Sequence, residues 1–227
     1  MSRRRWTAGV AAAAAVAAAC TVAVVETRGS ADRTRPVAQA STPSASPSPA
    51  SPEPPVSYRL RITKEYQAPS YDSSPAAGVV SLSTFGMKVR QSTLIRKMKS
   101  KPREGTDGDD IMHTLRDYLY DTPYLLAAEG WSGIRPDFLL RDVGYDVGVL
   151  RRAPVLMVWW ERLPWNKGIE PGAHKVGHLI VAYGYDRAKG TVTVFDPSPD
   201  TGGTHTLPAT TLARILQPGG LCYIYRQ

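Results

Sequence analysis

Cysteine is nearly missing from this 227-residue chain, which has only Cys20 and Cys222. Cys20 lies in an apolar run near the amino end. Once that run is set aside, one thiol remains and no internal disulfide can form. Cys222 stands inside Leu221-Cys222-Tyr223-Ile224-Tyr225, a candidate strand, and reads as a small core residue rather than a nucleophile. Aromatic residues are missing among the seven lysines and arginines that run from Lys88 to Arg103. Without stacking groups that cluster gives nucleic-acid binding little support; it reads first as a solvated helix face and loop, and second as a contact for anionic wall polymers, lipid headgroups or acidic peptides. No internal repeat is visible.

Charge is also missing from Thr7 to Val25, where alanine and valine dominate behind Arg3, Arg4 and Arg5. This is the pattern of an export signal, with a small-residue cleavage pattern at Gly29-Ser30-Ala31. An uncleaved membrane anchor is the second reading, because the run is about as long as a bilayer is thick. A lipidated Cys20 is the third. The protein is therefore expected to be secreted or extracytoplasmic, touching a membrane only through this segment if it is retained.

What the chain does contain divides into three parts. Residues 1–31 are the signal or anchor. Residues 32–56 carry seven prolines among Ser, Ala and Thr and read as a disordered linker with little apolar surface to bury. Residues 57–227 form one domain. The full chain has a net charge of +8, but six of its arginines precede the domain, which is only mildly basic.

Within the domain, Tyr58 to Thr63 alternates like an edge strand. A helix opens at Ser73/Ser74 with Pro75 in its first turn, where a missing N–H costs nothing. A second helix is expected with Ser92 as its N-cap, a third after Asp107-Gly108-Asp109, and a fourth over Arg135 to Asp142. From Pro154 the pattern turns to strands: Val155 to Trp160, His178 to Tyr183, Thr191 to Asp196, and Leu221 to Tyr225. Helices followed by antiparallel strands make an α+β arrangement.

The strands 178–183 and 191–196 flank the turn-forming stretch Gly184 to Gly190. A hairpin centred on Arg187 sets His178 opposite Asp196 on one sheet face, within reach of a hydrogen bond that would fix the imidazole. A slip of one residue would separate them. Ser73 lies where the first helix begins, and Gln67 lies six residues earlier. Ser73 is either a plain helix cap or a nucleophile favoured by the helix dipole. Gln67 is either a surface amide or an oxyanion donor. His174 and His178 have a zinc-like spacing, but they fall in a loop and a strand with no glutamate after His174. No metal or cofactor is expected. Trp159, Trp160 and Trp165 are candidates to line a groove or fill the core, while His113 and His205 have no constellation around them.

Gln67, Pro75-Ala76, Gly177-His178, Gly184-Tyr185-Asp186 and Asp196-Pro197 together resemble the C39-like branch of the papain-like cysteine peptidases, from Tyr66 to Arg226. That family carries Gln, five residues, then Cys-Gly-Pro at a helix start, followed by Gly-His and Asp-Pro on successive strands. The resemblance implies a papain-like cysteine-peptidase fold, with an N-terminal helical part packed on a C-terminal antiparallel sheet. It places Ser73 at the nucleophile position in place of cysteine, and Ser74 in place of glycine. His178, Asp196 and Gln67 take the base, orienting and oxyanion positions.

Three functions follow as expectations. The first is a degenerate peptidase that binds peptide or cell-envelope material without efficient cleavage. The second is a hydrolase using Ser73 with His178 and Asp196. The third is a non-catalytic structural or interaction module.

Overall fold

The computed structural model describes residues 52–68, 71–102, 104–129, 133–166 and 176–226. The N-terminal apolar run, most of the proline-rich stretch and His174 lie outside these residues. No helix among the described residues is long and apolar enough to cross a membrane.

The strands form one antiparallel sheet of seven. They are β1 (Ser57–Arg59), β2 (Tyr124–Glu129), β3 (Val155–Trp159), β4 (Gly177–Asp186), β5 (Thr191–Asp196), β6 (Gly203–Pro208) and β7 (Leu216–Arg226). Their order across the sheet is β2-β7-β3-β4-β5-β6, with β1 paired to the far end of β4. The helices are α1 (Ser73–Ser83), α2 (Gln91–Lys97), α3 (Gly108–Leu119), α4 (Pro136–Tyr145) and α5 (Ala209–Ile215). A π-helical turn, Asp146–Leu150, continues α4.

Both sheet faces are covered. On one face Val155, Leu179, Val181, Phe195 and Ile224 pack with residues of α1, α2 and α3. On the other, Leu156, Val158, Ile180, Val192 and Val194 pack with α4 and α5. Strands covered on both sides need not alternate polar and apolar, so β3 and β4 read as continuous apolar runs. The expected α+β arrangement is present, with a second helical layer on the back of the sheet.

The β4–β5 hairpin differs from the expected one. Its loop is shorter, Arg187 to Gly190, with Gly190 at φ +63°. The register begins with Asp186 opposite Thr191 and Gly184 opposite Thr193. It then shifts by one residue at a β-bulge, so that Ala182 faces Val194 and Val181 faces Phe195. The bulge also explains why Tyr183 packs on the α1 side while Tyr185 packs on the α4 side. Carried onward, this register sets Ile180, not His178, level with Asp196. His178 is therefore a diagonal neighbour of Asp196 on the same face, a separation that long side chains span.

The packed body begins earlier than expected. Tyr185 Oη donates to Pro55 O at 2.8 Å, Arg187 N to Val56 O at 2.8 Å, and Arg187 Nη1 reaches Glu53 and Pro54 O. Residues 53–56, assigned by composition to the linker, lie against the domain because they supply backbone acceptors to the end of β4. Helix α2 starts at Gln91 rather than after a Ser92 cap, and Arg90 at its N-cap makes no side-chain cap bond.

Candidate active site

The cleft is built where α1 points its first turn at β4. The helix begins when Asp72 O accepts Ala76 N–H at 3.1 Å. That bond sets Ser73 in the first turn, beside backbone N–H groups without helical partners. Leu179 N–H donates to Ser73 Oγ at 3.4 Å, which seats the hydroxyl against the strand residue that follows His178. Gln67 reaches the same place along an extended segment that is tied to the end of β5 through Gln67 N–H to Pro197 O, 2.9 Å. Gln67, Ser73, Ser74 and His178 line one cleft of about 1030 Å³. All four are buried.

His178 Nε2 lies 2.7 Å from Asp196 Oδ1. Oδ1 also accepts Ser198 N–H at 2.8 Å, and Oδ2 accepts the indole N–H of Trp165 at 2.8 Å. Asp196 is wholly buried. Burial alone would raise its carboxyl, but the bonds from His178, Ser198 and Trp165 outweigh that and hold it below the ordinary carboxylate value. An ionised carboxylate only accepts, so Nε2 carries the proton of this bond. Nδ1 is left as the ring nitrogen available to another partner.

Sequence reasoning missed several parts of this arrangement. Gln91, at the start of α2, accepts Ala68 N–H with Oε1 at 2.9 Å and donates to Tyr66 O with Nε2 at 2.9 Å. It thereby fastens the segment that carries Gln67, and only its burial in three dimensions marks it out. His205 stacks flat on Trp165, with ring centroids 3.7 Å apart and planes 3° apart, so it does have a constellation. Trp165, expected in a groove or the core, instead serves Asp196. Trp160 lines the cleft.

Gly177 leaves the room occupied by Gln217, because a Cβ there would stand 3.0 Å from Gln217 Nε2. Asp72, just before Ser73, is fully buried, and neither carboxyl oxygen has a hydrogen-bond partner. Burial raises its pKa, which favours the neutral acid beside the helix start.

Cys222 lies in the core beneath α3, with its Sγ against Met112 Sδ, and burial pushes its thiol up to about 12. It takes no part in the cleft. Among the described residues no three His, Cys, Asp or Glu side chains group as metal ligands.

No curated protein matches the chain. Among solved structures, the peptidase domain of Streptococcus ComA, a bi-functional ABC transporter involved in a quorum-sensing pathway, aligns at 15% identity. That alignment covers 75% of this chain and 99% of that one, with a TM-score of 0.49. A double glycine motif protease from an AMS/PCAT transporter, in complex with its leader peptide, aligns at 14% identity. It covers 74% and 94% of the two chains, also with a TM-score of 0.49. The profile of the Peptidase_C39 like family matches residues 60–217, from the extended segment before Gln67 to the start of β7, and the chain belongs to that family.

Proposed function

We propose that this domain is a peptide-binding member of the family whose cleavage chemistry is lost or very weak. One observation carries the reading. The atom at the tip of α1, in the same cleft as a histidine held by a buried aspartate, is a hydroxyl oxygen. A free thiol ionises near pH 8.5, whereas an alcohol, like water, ionises about seven units higher. The gap of about seven units corresponds to about 10 kcal/mol at 1.36 kcal/mol per unit. A helix N-terminus supplies about 0.3–2 kcal/mol toward an anion. A resting thiolate–imidazolium type of pair therefore has no counterpart with Ser73.

The remaining route is concerted removal of the Ser73 proton by His178 Nδ1. It would need an oxyanion site from Gln67 and the first N–H groups of α1. That is the second reading, favoured by the completed His178–Asp196 pair. A serine-directed fluorophosphonate probe separates the two. Failure to label Ser73, together with retained peptide binding, fits the proposal. Stoichiometric labelling at Ser73 refutes it in favour of a serine hydrolase.

Ser73→Cys tests whether the rest of the site is competent. We expect alkylation at position 73, mapped by mass spectrometry, to proceed at a pH below the free-thiol range. Reactivity no greater than that of a free thiol would mean that the His178 side does not serve this position. Export, proposed from the uncharged run Thr7 to Val25, is checked by cell fractionation.

A further inference from the structure

An indole–imidazole stack lies behind Asp196 and touches the group that orients His178.

Trp165 contacts Asp196 along its edge and His205 across its face. Its N–H donates to Asp196 Oδ2 at 2.8 Å. Its ring lies on the His205 imidazole at 3.7 Å and 3°. His205 is fixed in turn, standing opposite Val194 in the β5–β6 ladder with Nε2 3.3 Å from Gly202 O, to which it donates. The indole is thus anchored on β6 and aimed at the end of β5, where Asp196 pairs with Gly203.

We infer that Trp165, backed by His205, is a positioning residue for His178, acting through Asp196. The inference rests on the reading of His178 and Asp196 as the working pair of the cleft. Asp196 is wholly buried, and its Oδ1 already serves both His178 and Ser198 N–H. The indole N–H is the donor that holds Oδ2. Without it, a buried anionic oxygen has no donor, and leaving such a group unmet is costly.

The carboxylate has three ways to respond. It can turn, it can divide His178 between its two oxygens, or it can take up a proton. Each loosens the imidazole and blurs where Nδ1 points. An aromatic ring that only filled space would not have this effect, so the role is separable from packing. Trp165→Phe keeps a ring to stack on His205 and removes the donor. His205→Ala keeps the donor and removes the stack.

The test uses the full chain and two NMR readouts that do not involve Ser73: the titration of the Asp196 carboxyl carbon, and solvent exchange of the His178 Nε2 proton. In Trp165→Phe, the Asp196 titration moves upward and the His178 proton exchanges about tenfold faster. In His205→Ala, both change in the same direction by less. If Trp165→Phe folds cooperatively and neither readout moves, the assignment is wrong. Should the phenylalanine variant fail to fold, benzothienylalanine at position 165 replaces the N–H with sulfur in the same ring shape, and the same two readouts decide.

A third arm measures alkylation at position 73 in the Ser73→Cys background, where Trp165→Phe lowers the rate at mildly acidic pH by about tenfold. Inert behaviour of Ser73→Cys itself would sink the reading of His178 and Asp196 as the working pair of the cleft. The two NMR readouts would still decide the role of Trp165.

Discussion

Replacing Asp196 with asparagine tests the site where structure and chemistry meet. The carboxylate accepts three hydrogen bonds, from His178 Nε2 at 2.7 Å and from Ser198 N–H and Trp165 Nε1–H at 2.8 Å each, and it has no solvent exposure. Asparagine preserves the volume but has one accepting oxygen. If that oxygen keeps His178 and Ser198, the amide N–H₂ faces the indole N–H, donor against donor. Both donors are then unmet, at about 1–3 kcal/mol each. Loss of a charged acceptor from the other two bonds adds to this, and relief from burying a charge subtracts.

The net expectation is a loss of about 1–3 kcal/mol at neutral pH, read from urea unfolding with unchanged slope. The pH dependence is the sharper measurement. The carboxyl is held below its ordinary value in the fold, while unfolded aspartate titrates near 3.9. Its contribution is therefore complete above the unfolded value and is lost as pH falls through the folded value. The gap in stability between the native chain and Asp196→Asn should be constant from pH 7 to about 5, then close as the native chain is acidified. A gap that stays constant down to pH 3, or an asparagine variant as stable as the native chain at pH 7, would refute the reasoning.

Asp146 gives the opposite sign. It is buried in the π-helical turn, with Oδ2 accepting Ile224 N–H at 3.0 Å, and burial pushes its pKa well above the usual range despite that bond. A raised carboxyl favours the fold at low pH and loses that advantage as pH rises, so Asp146→Asn should stabilise the domain at neutral pH. The gain shrinks toward pH 4 in thermal unfolding. Gln91→Ala removes the two bonds to Tyr66 O and Ala68 N–H. It should cost about 1–3 kcal/mol and reduce thiol reactivity in the Ser73→Cys background by freeing the segment that carries Gln67. Cys222, with its thiol pushed up to about 12, should resist iodoacetamide at pH 8 in the folded chain and react fully in denaturant. Reaction in the folded chain would contradict its burial.

Much of the fold was legible because local signals agree with tertiary demands. Pro75 in the first turn and the apolar positions up to Leu82 marked α1, and the acidic Asp107-Gly108-Asp109 marked the start of α3, where Asp107 caps Asp109 N–H. Strand β5 matches the expected Thr191 to Asp196 because both ends carry turn residues. Strands β2 and β6 and helix α5 were not foreseen. Thr204, His205 and Thr206 give β6 a polar run whose pairing is dictated by β5, and Ala209-Thr210-Thr211 opens α5 without a capping side chain.

Neither the shorter turn nor the bulge near Tyr183 has a composition of its own, so the expected pairing is three residues off beside the turn and two residues off beyond the bulge. The one-residue bulge restores parity beyond Tyr183, so His178 still shares a face with Asp196 and meets it. The partners of the site were harder to read. Nothing local in Trp165, His205 or Gln91 distinguishes a residue that holds a carboxylate or a loop from one that fills space.

The hydrogen bonds described around Asp196 help explain how a cleft of this shape can persist around a hydroxyl. His178, Ser198 and Trp165 all bond to Asp196, and none of those bonds passes through Ser73. The same bonds tie the end of β5 to the start of β4 and to the segment after β3, so the cluster is a structural node as well as a chemical one. A Ser73→Cys exchange at the tip of α1 should leave that node intact, since Ser73 Oγ contributes one long bond to Leu179 N–H. An intact His178–Asp196 pair therefore fits a binding domain as well as an enzyme, because stability alone is reason to keep it. The functional question rests on position 73, where the exchange of one atom changes the ionisation free energy by about 10 kcal/mol and the folding free energy by far less.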